Sequence, residues 1–200
     1  MRMSVTTLSC GRCAVPGGRN PLGTVFQGNT EITAFNELVN FTSLTSVNFK
    51  GSTIERITLP HQITTIPNNS FQSTSKLASC LLNEGITSIG ISSFQSTGLK
   101  TIVLPTTLKT IGQTAFYLSS LTSVTIPANV TAINGNAFMY CYSMQYVIVL
   151  GTTPATIAGG AFGNQYNKYP IYVPDDYVDV YKASWSAYAS LIHPVSELEL

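Results

Sequence analysis

Residues 99–116 read LKTIVLPTTLKTIGQTAF, and residues 121–138 read LTSVTIPANVTAINGNAF. The apolar letters, the proline and the closing Ala-Phe fall at the same steps in both. Worked outward, the pattern runs along most of the chain. Phe49, Phe71, Phe94, Phe116, Phe138 and Phe162 follow one another at intervals of 22, 23, 22, 22 and 24 residues. Five or six residues after each of the first five stands Ile54, Leu77, Leu99, Leu121 or Met144. Three further on come Ile57, Cys80, Ile102, Val124 and Val147, and two beyond those Leu59, Leu82, Leu104, Ile126 and Val149. A last apolar pair closes the unit, as in Ile63/Ile66 or Leu108/Ile111.

Two core letters separated by one residue, as in Val124-Thr125-Ile126, describe a short strand with one face inward. Pro60, Pro105 and Pro127 follow that strand and cannot donate to a ladder, so the strand stops there; Asn83 holds the place in one copy. The second apolar pair brings the chain back along the opposite wall. The sequence therefore predicts a mainly β repeat solenoid, a right-handed coil of 22–24-residue repeats resembling a leucine-rich repeat, with parallel sheets and a column of phenylalanines. A single coil buries too little to fold alone, which is why the unit has to recur.

An array needs covered ends. At the C-terminus PIYVPDDYVDVYKASWSAYASLIHP changes character. IYVP reads as one more strand, and Asp175 or Asp176 as a helix cap. Tyr177, Tyr181, Trp185, Tyr188 and Ile192 then fall at helical spacing on one face, with Pro194 as the stop. This aromatic stripe reads as a lid over the last coil. The predicted organisation is a loose leader over 1–28, an N-terminal cap and irregular first coil over 29–53, the array over 54–167, and a strand-helix cap over 168–200.

Composition narrows the function classes. Hydrophobic residues make up 44 % and charged residues only 10 %, so serine and threonine supply much of the polar surface. A net charge of +1 provides no field to gather nucleic acid or anionic lipid. No stretch approaches the ~20 apolar residues of a spanning helix. The opening MRMSVTTLSCGRCAVPGG lacks the longer apolar run of a clear signal peptide, and TLSCG matches a lipoprotein box around Cys10 only faintly.

LxxIxLPxxLxxIxxxAF resembles the BspA-type leucine-rich repeat of bacteria. ITAFNELVNFT resembles the segment that often opens such arrays, and TTPATIAGGAF with IYVPDDYVDVYKASWSAYASLIHP resembles their usual close. The likeness spans about residues 30–194. It departs at Cys80 and Asn83, and at the shortened step Val47–Phe49. The resemblance implies a cell-surface or secreted protein of gut or oral bacteria that binds host or microbial partners, in a family that includes adhesins. It also implies that a cysteine at the place of Cys141 is ordinary.

Chemistry-bearing residues are sparse. Cys10 and Cys13 form CGRC, but a metal site needs two further ligands, and Cys80 and Cys141 belong to separate coils. His61 and His193 sit beside prolines at a strand end and a helix end, neither read as part of a nucleophile-and-acid set, and Asp175, Asp176 and Asp179 suit a helix start. No catalytic residue, metal ligand or cofactor is assigned, and the chain is read as a non-enzyme. The outer wall remains. Thr58, Leu81, Val103, Thr125 and Ile148 form one outward row, and Arg56, Ser79, Thr101, Ser123 and Tyr146 another. Arg56, Thr58, Leu81, Val103, Tyr146 and Ile148 are the candidate binding residues, for a protein partner or a glycan. The alternatives are that the apolar members only satisfy strand propensity or meet a loop or neighbouring chain, and that the array is a structural spacer or self-associating scaffold. Oligomeric state stays open.

Overall fold

The computed structural model describes residues 26–35, 38, 46–163 and 168–199. Cys10, Cys13 and most of the leader lie outside these residues, as do positions 36, 37 and 39–45 of the expected N-terminal cap. Twelve short strands are described: β1 (Ala34–Phe35), β2 (Arg56–Thr58), β3 (Thr65–Ile66), β4 (Ser79–Leu81), β5 (Ser88–Ile89), β6 (Thr110–Ile111), β7 (Ser123–Ile126), β8 (Ala132–Ile133), β9 (Tyr146–Val149), β10 (Thr156–Ile157), β11 (Ile171–Val173) and β12 (Ile192–Pro194). Every pairing is parallel. One wall is the five-stranded sheet β10-β8-β6-β5-β3; the other is divided into β1-β2-β4 and β12-β11-β9-β7. Register follows the repeat letters: Ile57 pairs with Cys80, Val124 with Val147, and Ile66, Ile89, Ile111 and Ile133 pair in succession.

Between the walls stands the phenylalanine column. From Phe26 through Phe49, Phe71, Phe94, Phe116 and Phe138 to Phe162, successive rings are 4.9–5.9 Å apart with planes within 8°, inside the range of favourable aromatic contact. Backbone bonds run alongside: the amides of Phe71, Phe94, Phe116 and Phe138 donate to the carbonyls of Ser93, Ala115, Ala137 and Ala161 at 2.7–2.8 Å. Each of these turns uses left-handed backbone at two non-glycine residues, Asn69/Ser73, Ser92/Ser96, Thr114/Leu118 and Asn136/Tyr140. A row of small polar side chains closes the turn. Thr74 and Thr97 hydroxyls donate to the Phe71 and Phe94 carbonyls at 2.6 and 3.0 Å. Cys141 takes the same place, its thiol reaching the Phe116 carbonyl at 3.1 Å and the Ser119 hydroxyl at 3.3 Å.

Two expectations are corrected. The C-terminal aromatic stripe does not lie on one helix. The helix α1 (Val178–Ser184) is seven residues long, flanked by 3-10 turns at Asp175–Tyr177 and Ser186–Leu191, and Trp185 leaves helical backbone at φ −110° and ψ 51°. Ile192 and Pro194 belong instead to β12, paired with β11; proline is tolerated there because an edge strand leaves one side unbonded. Asp175 does not cap the helix by its side chain; its carboxylate accepts the Ser196 amide at 3.1 Å. Two of the aromatics have separate anchors on the preceding coil instead. The Tyr181 hydroxyl donates to the Gly151 carbonyl and the Trp185 indole to the Ala155 carbonyl, both at 2.8 Å. Trp185 and Tyr188 lie 5.2 and 5.7 Å from Phe162, at the end of the column.

The second correction concerns the strand wall, which is not continuous. β4 pairs only with β2, and β7 only with β9. Between them Thr101–Leu104 forms no strand and takes part in no backbone hydrogen bond, although Ile102 and Leu104 still bury their side chains. The coil that carries this opening is joined to the preceding one just beyond it. The Glu84 carboxylate accepts the Thr106 amide and hydroxyl at 2.8 and 2.7 Å, and the Thr107 hydroxyl donates to the Glu84 and Ile86 carbonyls. Asn83, in the place of a proline, binds the Pro60 and Ile63 carbonyls at 2.7 and 3.0 Å. It fastens by its side chain a position that its neighbours merely terminate. Among the described residues no helix is long and apolar enough to cross a membrane.

Candidate recognition surface

Alternation along the strands turns Thr58, Leu81, Thr125 and Ile148 to the outside between buried or, at Leu82, half-buried neighbours, and the register lays Thr58 beside Leu81 and Thr125 beside Ile148. Exposure is uneven. Leu81 is 56 % and Val103 80 % exposed, while Thr58, Tyr146 and Ile148 are half-buried and Arg56 is exposed. Val103 stands in the opening, so it is carried by an extended segment free of the ladder. Arg56, Thr58 and Leu81 share one sheet; Tyr146 and Ile148 share another. The two candidate anchors, Arg56 and Tyr146, are therefore not brought together into one pocket. They mark the two ends of a wall with an apolar middle.

The row extends further than the repeat letters indicated. Tyr172 pairs in register with Ile148 and with His193. Its ring lies 6.2 Å from Tyr146, edge to face, and 6.0 Å from the His193 ring. His193 Nδ1 is 3.4 Å from a Glu197 carboxylate oxygen, an ion pair only when the imidazole is protonated. Tyr172 was legible: in IYVP it stands between two inward residues. His193 was not, because its segment read as helix.

A second aromatic group, two half-buried rings and one exposed, lies at the turns past the phenylalanine column. Tyr117 and Tyr140 meet edge to face with centroids 5.2 Å apart, and Tyr140 lies 5.7 Å from Tyr142 with planes 27° apart. Tyr142 is 69 % exposed. Partial desolvation, then the neighbouring Tyr140 and Tyr142 phenols, raise the Tyr117 hydroxyl above its ordinary pKa. Row counting confined to the strands missed this group; the same counting applied to the residues just after each phenylalanine would have found it.

The groups that might have suggested covalent chemistry are held in structural roles. Burial pushes the Cys80 thiol well up and the Cys141 thiol up to about 11, so both are poor nucleophiles at neutral pH. Hydrogen bonds from the Ser196 backbone and side chain hold the Asp175 carboxyl below its usual range. Among the described residues, no three His, Cys, Asp or Glu side chains converge as metal ligands. A cavity of about 270 Å³ beside the last coil is lined by Ile157–Gly160 and Ser184–Tyr188, with no carboxylate, imidazole or thiol in its walls.

The model of the BspA type leucine-rich repeat region matches residues 23–121 and 109–193, in six copies. Among solved structures, a leucine-rich repeat protein from Bacteroides ovatus is 21 % identical with a TM-score of 0.56, over 72 % of this chain and 48 % of that one. One from Eubacterium ventriosum is 19 % identical with a TM-score of 0.55, over 73 % and 55 %. The T. pallidum leucine-rich repeat protein is 20 % identical with a TM-score of 0.51, over 80 % and 83 %. The chain thus spans about half the length of the first two. No curated protein matches it in sequence.

Proposed function

The chain belongs to the BspA-type leucine-rich repeat family, and we propose that it is a non-enzymatic recognition module for a protein partner, carried on a bacterial cell surface or secreted. In this reading the fold is a right-handed solenoid of 22–24-residue coils over 54–167, with an N-terminal cap over 29–53 and a strand-helix cap over 168–200. The closing role of the last segment is supported by Tyr181, Trp185 and Tyr188, which anchor on the final coil and cover Phe162. The surface setting is supported by the family resemblance.

The observation that carries the reading is the pair Leu81 and Val103, two large aliphatics exposed in consecutive coils of the strand wall. Burying them on a partner removes apolar surface from water, which favours association. Arg56 at one end and Tyr146 with Tyr172 at the other are residue types that dominate binding energy at interfaces. Mechanism here is presentation: a fixed wall that offers an apolar middle between two polar-tipped anchors.

The test has two arms. Protease treatment of intact producing cells should release peptides of this chain; peptides seen only after lysis would remove the surface setting. Pull-down with the purified chain should then capture a protein partner. Arg56→Glu with Tyr146→Ala, and separately Leu81→Ser with Val103→Ser, should each weaken that capture by about tenfold or more. Circular dichroism should stay unchanged. Undiminished capture by both pairs of variants would discard this wall.

A further inference from the structure

The tyrosine group at the turns is separate from the strand wall and differs from it in chemistry. Its backbone is held against preference. The second residue after each column phenylalanine is left-handed, at φ 61° for Ser73, 55° for Ser96, 56° for Leu118 and 59° for Tyr140. Left-handed backbone is uncommon for any residue with a Cβ and an outlier for a bulky one. The earliest coils meet the demand with glycine, Gly28 and Gly51 at φ 66°, and the two after them with serine. The next two keep Leu118 and Tyr140, and Leu118 is 42 % exposed, so burial does not explain the choice at its position. Tyr142 stands further out, on the longer step between Phe138 and Met144. Strain retained where the core does not require it points to the exposed surface it shapes.

Charge then narrows the ligand. No Asp, Glu, Lys, Arg or His occurs between Lys109 and Lys168, a span that includes all three tyrosines. The residues flanking the platform in sequence therefore offer no charge to pair a carboxylate, sulfate or amine. What it offers is aromatic faces, whose negative quadrupole attracts the partially positive C–H edge of a saturated ring, together with phenol hydroxyls. The row of Tyr117, one residue after each phenylalanine, contributes amides in earlier coils: Gln72 donates to the Gln95 side-chain carbonyl at 2.9 Å, and the coil of Gln95 is bonded to that of Tyr117 through the Ser96 amide. An uncharged ligand with an apolar C–H face and a rim of hydroxyls fits this set.

We propose that Tyr117, Tyr140 and Tyr142 form a stacking platform for a pyranose ring of an uncharged glycan. Tyr142, the exposed member, supplies the face; Tyr140 stacks behind it with planes 27° apart, and Tyr117 meets Tyr140 edge to face. The site lies on a different edge of the array from the proposed protein-binding wall, and either can fail without the other.

The test titrates the full chain with maltohexaose, cellohexaose and N-acetylchitohexaose, followed by the tyrosine ring resonances in NMR. At least one should shift the platform resonances saturably. Tyr142→Ala, which removes an exposed side chain, and Tyr117→Ala should each weaken that binding by about tenfold. Raising salt from about 0.05 to about 0.5 M should leave it within twofold, because no ion pair is involved. Tyr146→Ala, on the strand wall, should leave it unchanged. Absence of saturable shifts with all three saccharides, binding that survives both platform variants, or binding that collapses with salt would each overturn the proposal.

Discussion

Phe94→Ala removes one ring from the middle of the aromatic column. Phe94 is fully buried and lies between Phe71, at 5.1 Å and 8°, and Phe116, at 5.3 Å and 4°. Truncating a buried phenylalanine costs ~3–5 kcal/mol. The upper part of that range is expected here, because two ring contacts worth ~0.5–1.5 kcal/mol each are lost together. Phe94→Leu keeps most of the volume and loses the stacking, so it should cost ~1–3 kcal/mol. The structure also predicts how the loss is distributed. Trp185 reports on the far end of the column, while far-UV circular dichroism reports on the whole chain. In an array whose units touch only their neighbours, a central defect uncouples the halves. Urea titration of Phe94→Ala should therefore give a Trp185 transition that no longer coincides with the circular dichroism transition, whereas the two coincide in the parent. A loss below ~1 kcal/mol would refute the claim that the column holds the coils together. So would an equal cost for leucine and alanine.

Two further outcomes follow from particular groups. Amide hydrogen exchange should be fast at Ile102, Val103 and Leu104, which lack backbone partners, and much slower at Val124 and Ile126 in β7; equal protection at both places would mean the wall is closed in solution. Stability should be fullest below ~8.5, where an unfolded thiol is still protonated, and fall as pH rises toward the folded Cys141 value of about 11. The sign follows because the folded thiol keeps its proton while the unfolded one releases it. Cys141→Ala should flatten the fall in denaturation midpoint without abolishing it, since burial also raises Cys80 and, to about 12, Tyr181; an unaltered slope would show that Cys141 is not protected from titration.

The parts of this fold that sequence could supply are those written in side-chain size and spacing. The phenylalanine column was legible because its members recur at nearly equal intervals and no other residue fills that place. The pairing of Ile57 with Cys80 was legible for the same reason, although cysteine replaces the usual larger letter. Backbone hydrogen bonding is written less directly. Leu99, Ile102, Leu104 and Pro105 match the pattern of the following coil, Leu121, Val124, Ile126 and Pro127, yet the ladder is missing there. Asn83 looked like a lapse from the proline pattern, whereas its amide makes two bonds that no proline could make. In the C-terminal segment the periodicity was real but its cause was misassigned, since aromatic side chains reaching separate carbonyls can imitate one helical face. For the candidate surface, the strand rows were found by counting, and the tyrosine platform was overlooked because the turns were not counted the same way.

The sameness of the contacts between coils also bears on how such a chain can change over generations. Each interior phenylalanine presents nearly the same ring, at nearly the same angle, to the unit before and the unit after. An in-frame duplication or deletion of one whole unit would leave two matching faces to meet across the join. The segment that covers Phe162 would still find a phenylalanine to cover. Length can then drift by whole units through unequal recombination, while the exposed rows are free to diverge one side chain at a time. Reach and specificity become separately adjustable traits, one set by the number of units and the other by what each unit shows.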